Sequence, residues 1–127
     1  MKRITTASGG PAVVGPYSQA VISGNLVFTA GQIPIIPGTE TQPETFKQQV
    51  RQTLLNLEAA LHAAGSDFDH VIKVNGYLTN PLQLQPYNEV YQELLGHAPP
   101  ARTTVCVTLW GALEIDCIAE LITVERQ

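Results

Sequence analysis

The chain has 127 residues, enough for one domain (residues 1–127) with an ordinary buried core. Charged residues make up 14% of it, against roughly 25% in an average soluble domain, so part of its surface is expected to lie under another subunit. A formal net charge of −4 argues against a general nucleic-acid binder, which needs a basic face, but leaves room for a small anionic metabolite held by one local arginine.

Arg3-Ile4-Thr5-Thr6 reads as a short edge strand, with Lys2 and Arg3 ahead of it but no apolar stretch of a secretory signal behind them. No apolar run approaches the roughly 20 residues needed to span a bilayer, and a cytoplasmic address follows by default. Gly15-Pro16-Tyr17 then punctuates a loop, with Tyr17 either plugging the end of the core or standing at a pocket rim. Ser18–Ser23 and Leu26–Ala30 are apolar, β-rich runs joined by Gly24-Asn25, a hairpin signal. The second run leads into Gly31-Gln32-Ile33-Pro34, where a glycine permits close approach of a ligand to the backbone.

Thr41-Gln42-Pro43-Glu44 has the spacing of a helix capping box. Behind it Phe46, Val50, Leu54, Leu57, Leu61 and Ala64 form one apolar stripe, and Gly65 supplies a left-handed cap. Val71–Thr79 reads as a strand with Ile72, Val74, Gly76 and Leu78 on one face and Val71, Lys73, Asn75 and Tyr77 on the other. Asn80-Pro81 starts a second helix that carries Leu84, Tyr87, Val90, Tyr91 and Leu94 inward and ends at Gly96. Asn88 falls off that stripe, on the surface or in a pocket.

Pro99-Pro100-Ala101-Arg102 leads into what reads as a buried strand, where Val105, Val107 and Leu109 alternate with Thr104, Cys106 and Thr108. Arg102 shares the polar side. Its guanidinium needs an anionic partner, either a ligand carboxylate or phosphate held by two parallel hydrogen bonds or a structural aspartate or glutamate. In the last strand, Leu113–Val124, Glu114 and Asp116 share one face and Leu113, Ile115, Cys117 and Ala119 the other. Two acids there are costly unless paired or partly wet, and Arg102 is their candidate neighbour if the last two strands form a hairpin. Cys106 and Cys117 lack metal-ligand spacing, so two buried thiols are expected rather than a zinc site or disulfide. The element order predicts an α+β sandwich with both helices on one sheet face. The other face, with Lys73, Asn75, Thr104, Thr108 and Glu114, is then open to solvent or paired with copies of itself.

Gly15-Pro16-Tyr17-Ser18-Gln19-Ala20, Gly31-Gln32-Ile33-Pro34, Pro100-Ala101-Arg102 and Glu114-Ile115-Asp116, in that order, resemble the Rid (YjgF-type) family of reactive-intermediate deaminases over essentially the full length. The resemblance implies a chorismate-mutase-like α+β fold with a mostly antiparallel sheet, assembled as a homotrimeric barrel with ligand clefts between subunits. It implies hydrolysis of 2-aminoacrylate-type imines and enamines to a 2-keto acid and ammonia, with no metal or organic cofactor. Carried onto this chain, Arg102 corresponds to the clamp on the substrate carboxylate and Glu114 to the acid/base that activates water. Tyr17 and Asn88 become pocket walls, Gly31 offers its backbone, and Thr104 adds a hydroxyl contact.

Three positions depart from the family pattern: Ala30 in place of serine, Thr104 in place of cysteine, and a shortened link carrying Trp110-Gly111 in place of a Leu-Pro turn. The shortened link leaves Asp116 as a competitor to Glu114. Two other functions compete with the deaminase: a non-catalytic trimer that binds 2-keto acids, and an endoribonuclease, which the acidic balance disfavours. No membrane or nucleic-acid partner is expected.

Overall fold

The computed structural model describes residues 1–123 and has eight main elements. These are β1 (Lys2–Ile4), β2 (Ala20–Ser23), β3 (Leu26–Thr29), α1 (Phe46–Ala64), β4 (Val71–Leu78), α2 (Leu84–Leu95), β5 (Ala101–Cys106) and β6 (Leu113–Glu120). Val124, the end of the strand expected from Leu113, lies outside the described residues.

The strands form one sheet in the order β1-β2-β3-β6-β4-β5, antiparallel except for the β4–β5 pair. The β2–β3 hairpin forms where Gly24-Asn25 predicts it, with Ser23 opposite Leu26 and Gly24 at φ +62°, a conformation that suits a two-residue hairpin link. On α1, Val50, Leu54, Leu57, Leu61 and Ala64 are buried as the stripe predicts, and Gly65 closes the helix at φ +88°. The capping box sits one turn later than expected. Thr45 and Gln48 form it, while Thr41 is taken up in a turn with Thr39, their hydroxyls 3.0 Å apart. Asn80 caps a short 3-10 turn, Pro81–Gln83, that leads into α2. Both helices lie on one face of the sheet, over a core that includes Val27, Val74, Leu78, Leu113 and Ile115.

Other expectations fail for identifiable reasons. The last two strands are not a hairpin. α2 returns the chain beside β4, so β5 pairs in parallel with β4 and β6 takes β4's other edge. β5 is therefore an edge strand, mostly exposed rather than buried, and of the two thiols only Cys117 is buried. Finally, the register of β4 shifts between Val71 and Lys73, a bulge that turns Val71 inward and Ile72 outward, the reverse of simple alternation.

The outward sheet face carries Glu114, Asp116, Lys73, Asn75 and Tyr77, as the alternation predicts. Thr104 does not join them. Arg102 pairs with Val74 and Thr104 with Gly76, so both point to the helix side. Phe28 and Val105 add exposed apolar surface to the outward face, which no layer of the described residues covers.

Candidate active site

Two groups of the expected residues assemble, in different places. The first is built where β3 runs out beside the start of β6. Gln32 and Ile115 exchange backbone hydrogen bonds of 2.8 and 3.0 Å, which bring Gly31 alongside Glu114. The approach is so close that a Cβ on Gly31 would fall 2.8 Å from the Glu114 carboxyl carbon, so a side chain there would displace the carboxylate from this position. From α1 the buried Asn56 amide donates to the carbonyls of Ile33 (2.9 Å) and Ile35 (2.8 Å), pinning the loop that carries Gly31. Tyr17, set by a tight turn in which its N–H donates to the Gly15 carbonyl at 2.9 Å, stands at the rim rather than inside the core. Tyr17, Gly31, Ile33 and Glu114, together with Val14, Ala30 and Trp110, line an open cavity of about 490 Å³. Trp110 is fully exposed at its edge.

A second cavity of about 540 Å³ adjoins the first and shares Val14, Tyr17, Gly31 and Ile33 with it. Its floor holds two buried amides that sequence reasoning quoted within motifs but gave no role. The Gln32 amide donates to Gln19 Oε1 at 2.9 Å, and the Gln19 amide donates to the Pro11 carbonyl at 2.8 Å. Their only signal was their place inside two glycine- and proline-containing motifs, since glutamine is ordinarily a surface residue.

Burial, and then the nearby charge of Asp116, raise the Glu114 carboxyl above the usual carboxylate range. Asp116 is tied to the neighbouring strand, accepting from Asn75 Nδ2 at 2.8 Å, and is not among the residues lining the 490 Å³ cavity.

The second group lies at the far edge of the sheet. Arg102 and Asn88 line a groove of about 370 Å³ together with Tyr91, Gln92, Pro99 and Pro100. The Arg102 guanidinium carbon lies 4.9 Å from the Tyr91 ring centre and 5.5 Å from that of Tyr87. Among the described residues no carboxylate pairs with it. Thr104, next to Gly76 on the same side of the sheet, keeps a buried hydroxyl with no hydrogen-bond partner among those residues. Tyr17, Gly31 and Glu114 therefore meet, and Arg102, Asn88 and Thr104 gather separately. Within one chain β4 stands between the two sets, with Glu114 on the outward sheet face and Arg102 on the helix side.

No group of three or more His, Cys, Asp or Glu side chains is placed to hold a metal among the described residues. No helix among them is long and apolar enough to cross a membrane.

Residues 8–121 match the family described as Endoribonuclease L-PSP. The chain belongs to this family, that of the YjgF and RutC proteins. A RutC family protein of Pyrococcus horikoshii is 45% identical over 94% of this chain and 98% of its own length. Reactive Intermediate Deaminase A of Arabidopsis thaliana, a chloroplastic protein, is 36% identical over 94% of this chain and 66% of its own. Among solved structures, Escherichia coli TdcF with bound serine superposes with a TM-score of 0.88 at 35% identity, over 94% of this chain and 98% of that one. The YjgF/RutC fold is thus the one observed here, a mixed sheet with two helices on one face.

Proposed function

We propose that this protein is a cytoplasmic homotrimer that hydrolyses reactive 2-imino and enamine acids to 2-keto acids and ammonia, without a metal or organic cofactor. The observation that carries the reading is the Glu114 carboxyl, half-buried against the backbone of Gly31 and lining an open cavity. A relative named as a reactive intermediate deaminase and another crystallised with serine, a small amino acid, support a small carboxylate-bearing ligand.

In the reaction, water adds to the C=N carbon of the protonated imine while Glu114 takes one proton from it. Glu114 passes that proton to the nitrogen, ammonia leaves with the C–N bonding pair, and the carboxylate so freed takes the remaining hydroxyl proton as the C=O bond forms. A carboxyl with a raised pKa suits both halves of that transfer near neutral pH. Arg102 clamps the substrate carboxylate with its planar fork, and Asn88 and Tyr17 form the walls. Thr104 contributes a hydroxyl on Arg102's side of the sheet.

Because Arg102 and Glu114 lie on opposite faces of one sheet with a strand between them, the reading requires Arg102 from one subunit and Glu114 from its neighbour. The uncovered sheet face with Phe28 and Val105 supplies surface for that assembly. The net charge of −4 weighs against the nuclease activity that the family's description names.

The test generates imino acids in situ with an amino-acid oxidase and follows their decay. Wild type is expected to accelerate it, and Arg102→Ala and Glu114→Ala to lose at least about a hundredfold, the scale of removing one partner from a charged clamp. A wild type inert on every imine, yet binding 2-ketobutyrate by calorimetry, would replace this reading with that of a metabolite-binding trimer.

A further inference from the structure

Arg102 has no carboxylate partner among the described residues, yet its guanidinium is not loose. It sits within cation–π range of two aromatic faces at once, 4.9 Å from Tyr91 and 5.5 Å from Tyr87. Those rings lean on each other, their centres 5.7 Å apart at an interplanar angle of 38°. Neither is a surface ring that happens to lie nearby: Tyr87 is 0% exposed and Tyr91 6%. The i, i+4 spacing on α2 stacks them on one helix face, directly over the strand that carries Arg102.

The backbone makes room for this arrangement. Gly76, opposite Thr104 on β4, lies where a Cβ would come within 2.5 Å of the Tyr87 hydroxyl and 3.1 Å of its ring carbon, so the inner ring reaches its position only because residue 76 has no side chain. Neither phenol hydroxyl finds a hydrogen-bond partner among the described residues. What the two side chains present to Arg102 is therefore their ring faces and not a hydrogen bond.

We propose that Tyr87 and Tyr91 form a two-ring platform that positions Arg102, fixing the direction in which its fork meets a ligand carboxylate. This rests on the carboxylate-clamp reading of Arg102. The platform restrains the guanidinium through its π-facing side and leaves its N–H edge free for the ligand. A salt bridge would hold the side chain equally well but would occupy the same N–H groups that the ligand needs.

The test compares Tyr91→Phe, which keeps the ring, with Tyr91→Leu, which removes it, in the purified oligomer. Two quantities are read: the Kd for 2-ketobutyrate, and the side-chain Nε–Hε NMR signal of Arg102, assigned by its loss in Arg102→Lys. In wild type that proton is expected to show an upfield ring-current shift. Tyr91→Phe should keep the shift and bind within about twofold of wild type. Tyr91→Leu should lose most of the shift and weaken binding by about three- to thirtyfold, the range of cation–π contacts.

Absence of the shift in wild type overturns the platform, whether or not any variant folds. Unchanged binding in a folded Tyr91→Leu overturns it as well, as does equal weakening by Phe and Leu, which would assign the effect to the hydroxyl. A wild type that shows the shift but binds no keto acid and turns over no imine overturns the clamp reading, and with it the positioning role, while the aromatic contact itself remains.

Discussion

The two halves of the candidate site are built by opposite means. The Glu114 half is made by close packing inside the chain. A glycine against which the Glu114 carboxylate packs, a backbone bridge from Gln32 to Ile115 and the Asn56 amide leave its groups little freedom. The Arg102 half is displayed on an exposed edge strand, held from behind by aromatic rings and open in front. A carboxyl pushed toward its neutral form tolerates enclosure, whereas a guanidinium that must meet an incoming carboxylate has to keep its donors unspent. On the proposed reading, the division places the acid/base in the rigid half and the recognition group at the subunit's edge.

The sharpest way to break this comparison is to separate the halves genetically. Arg102→Ala alone is expected to remove at least about a hundredfold of imine turnover, while lowering Tm only by the roughly 2–4 °C that losing the ring contact costs, since no carboxylate among the described residues is left unpaired. Co-assembling Arg102→Ala with Glu114→Ala subunits should restore about a quarter of wild-type turnover in a ring of heterologous contacts, since random mixing pairs an intact arginine with an intact neighbouring glutamate that often. No recovery in mixed oligomers would mean that each chain supplies both groups.

The next largest effect is expected behind the arginine. Gly76→Ala places a methyl against Tyr87 in a buried strand. It should cost about 1–3 kcal/mol, a fall in Tm of roughly 4–12 °C by thermal melt, and it should weaken keto-acid binding through the displaced ring. A Gly76→Ala protein with wild-type stability would show that the space beneath Tyr87 is not needed.

The smallest effect sharpens the other half. A carboxyl whose pKa is higher in the folded chain than in the unfolded one binds its proton more tightly when folded. Its contribution to stability is therefore greatest below the unfolded pKa and declines as pH rises through the folded one. The raised Glu114 should thus make the wild type relatively less stable toward neutral pH. Glu114→Gln should flatten that slope and raise Tm at pH 7 by about 1–2 °C, a modest gain because the group is only part-buried. A lower Tm across the whole pH range would instead make Glu114 a structural residue.

Periodic signals carried most of the fold into the sequence. The α1 stripe from Val50 onward and the alternation from Leu113 to Ala119 bury the residues they predict, and the Gly24-Asn25 hairpin forms. What stayed hidden was non-local. The bulge at Ile72 adds one residue to a strand whose composition reads the same in either register. Strand order depends on the α2 crossover, which no local pattern encodes, and the false expectation of an Arg102–Glu114 neighbourhood followed from missing it. Thr41 and Thr45 both fit a capping box, and only the Thr39 turn decides between them. Of the site, Tyr17, Gly31 and Glu114 were legible through their motifs and do meet. Tyr87 and Tyr91 looked like ordinary core residues, because an aromatic stripe at helical spacing has the same pattern whether it covers apolar side chains or a cation.

Asn56 carries a further consequence. Its amide spans the gap between the interior of α1 and the backbone of Ile33 and Ile35, so the cavity wall is expected to open with the helix core. The wall then belongs to the same cooperative unfolding unit as the core, and the amide proton of Gln32 should exchange only as fast as the whole domain opens. Damage to the helix interior, remote from the cavity, would therefore loosen the cavity wall along with the core.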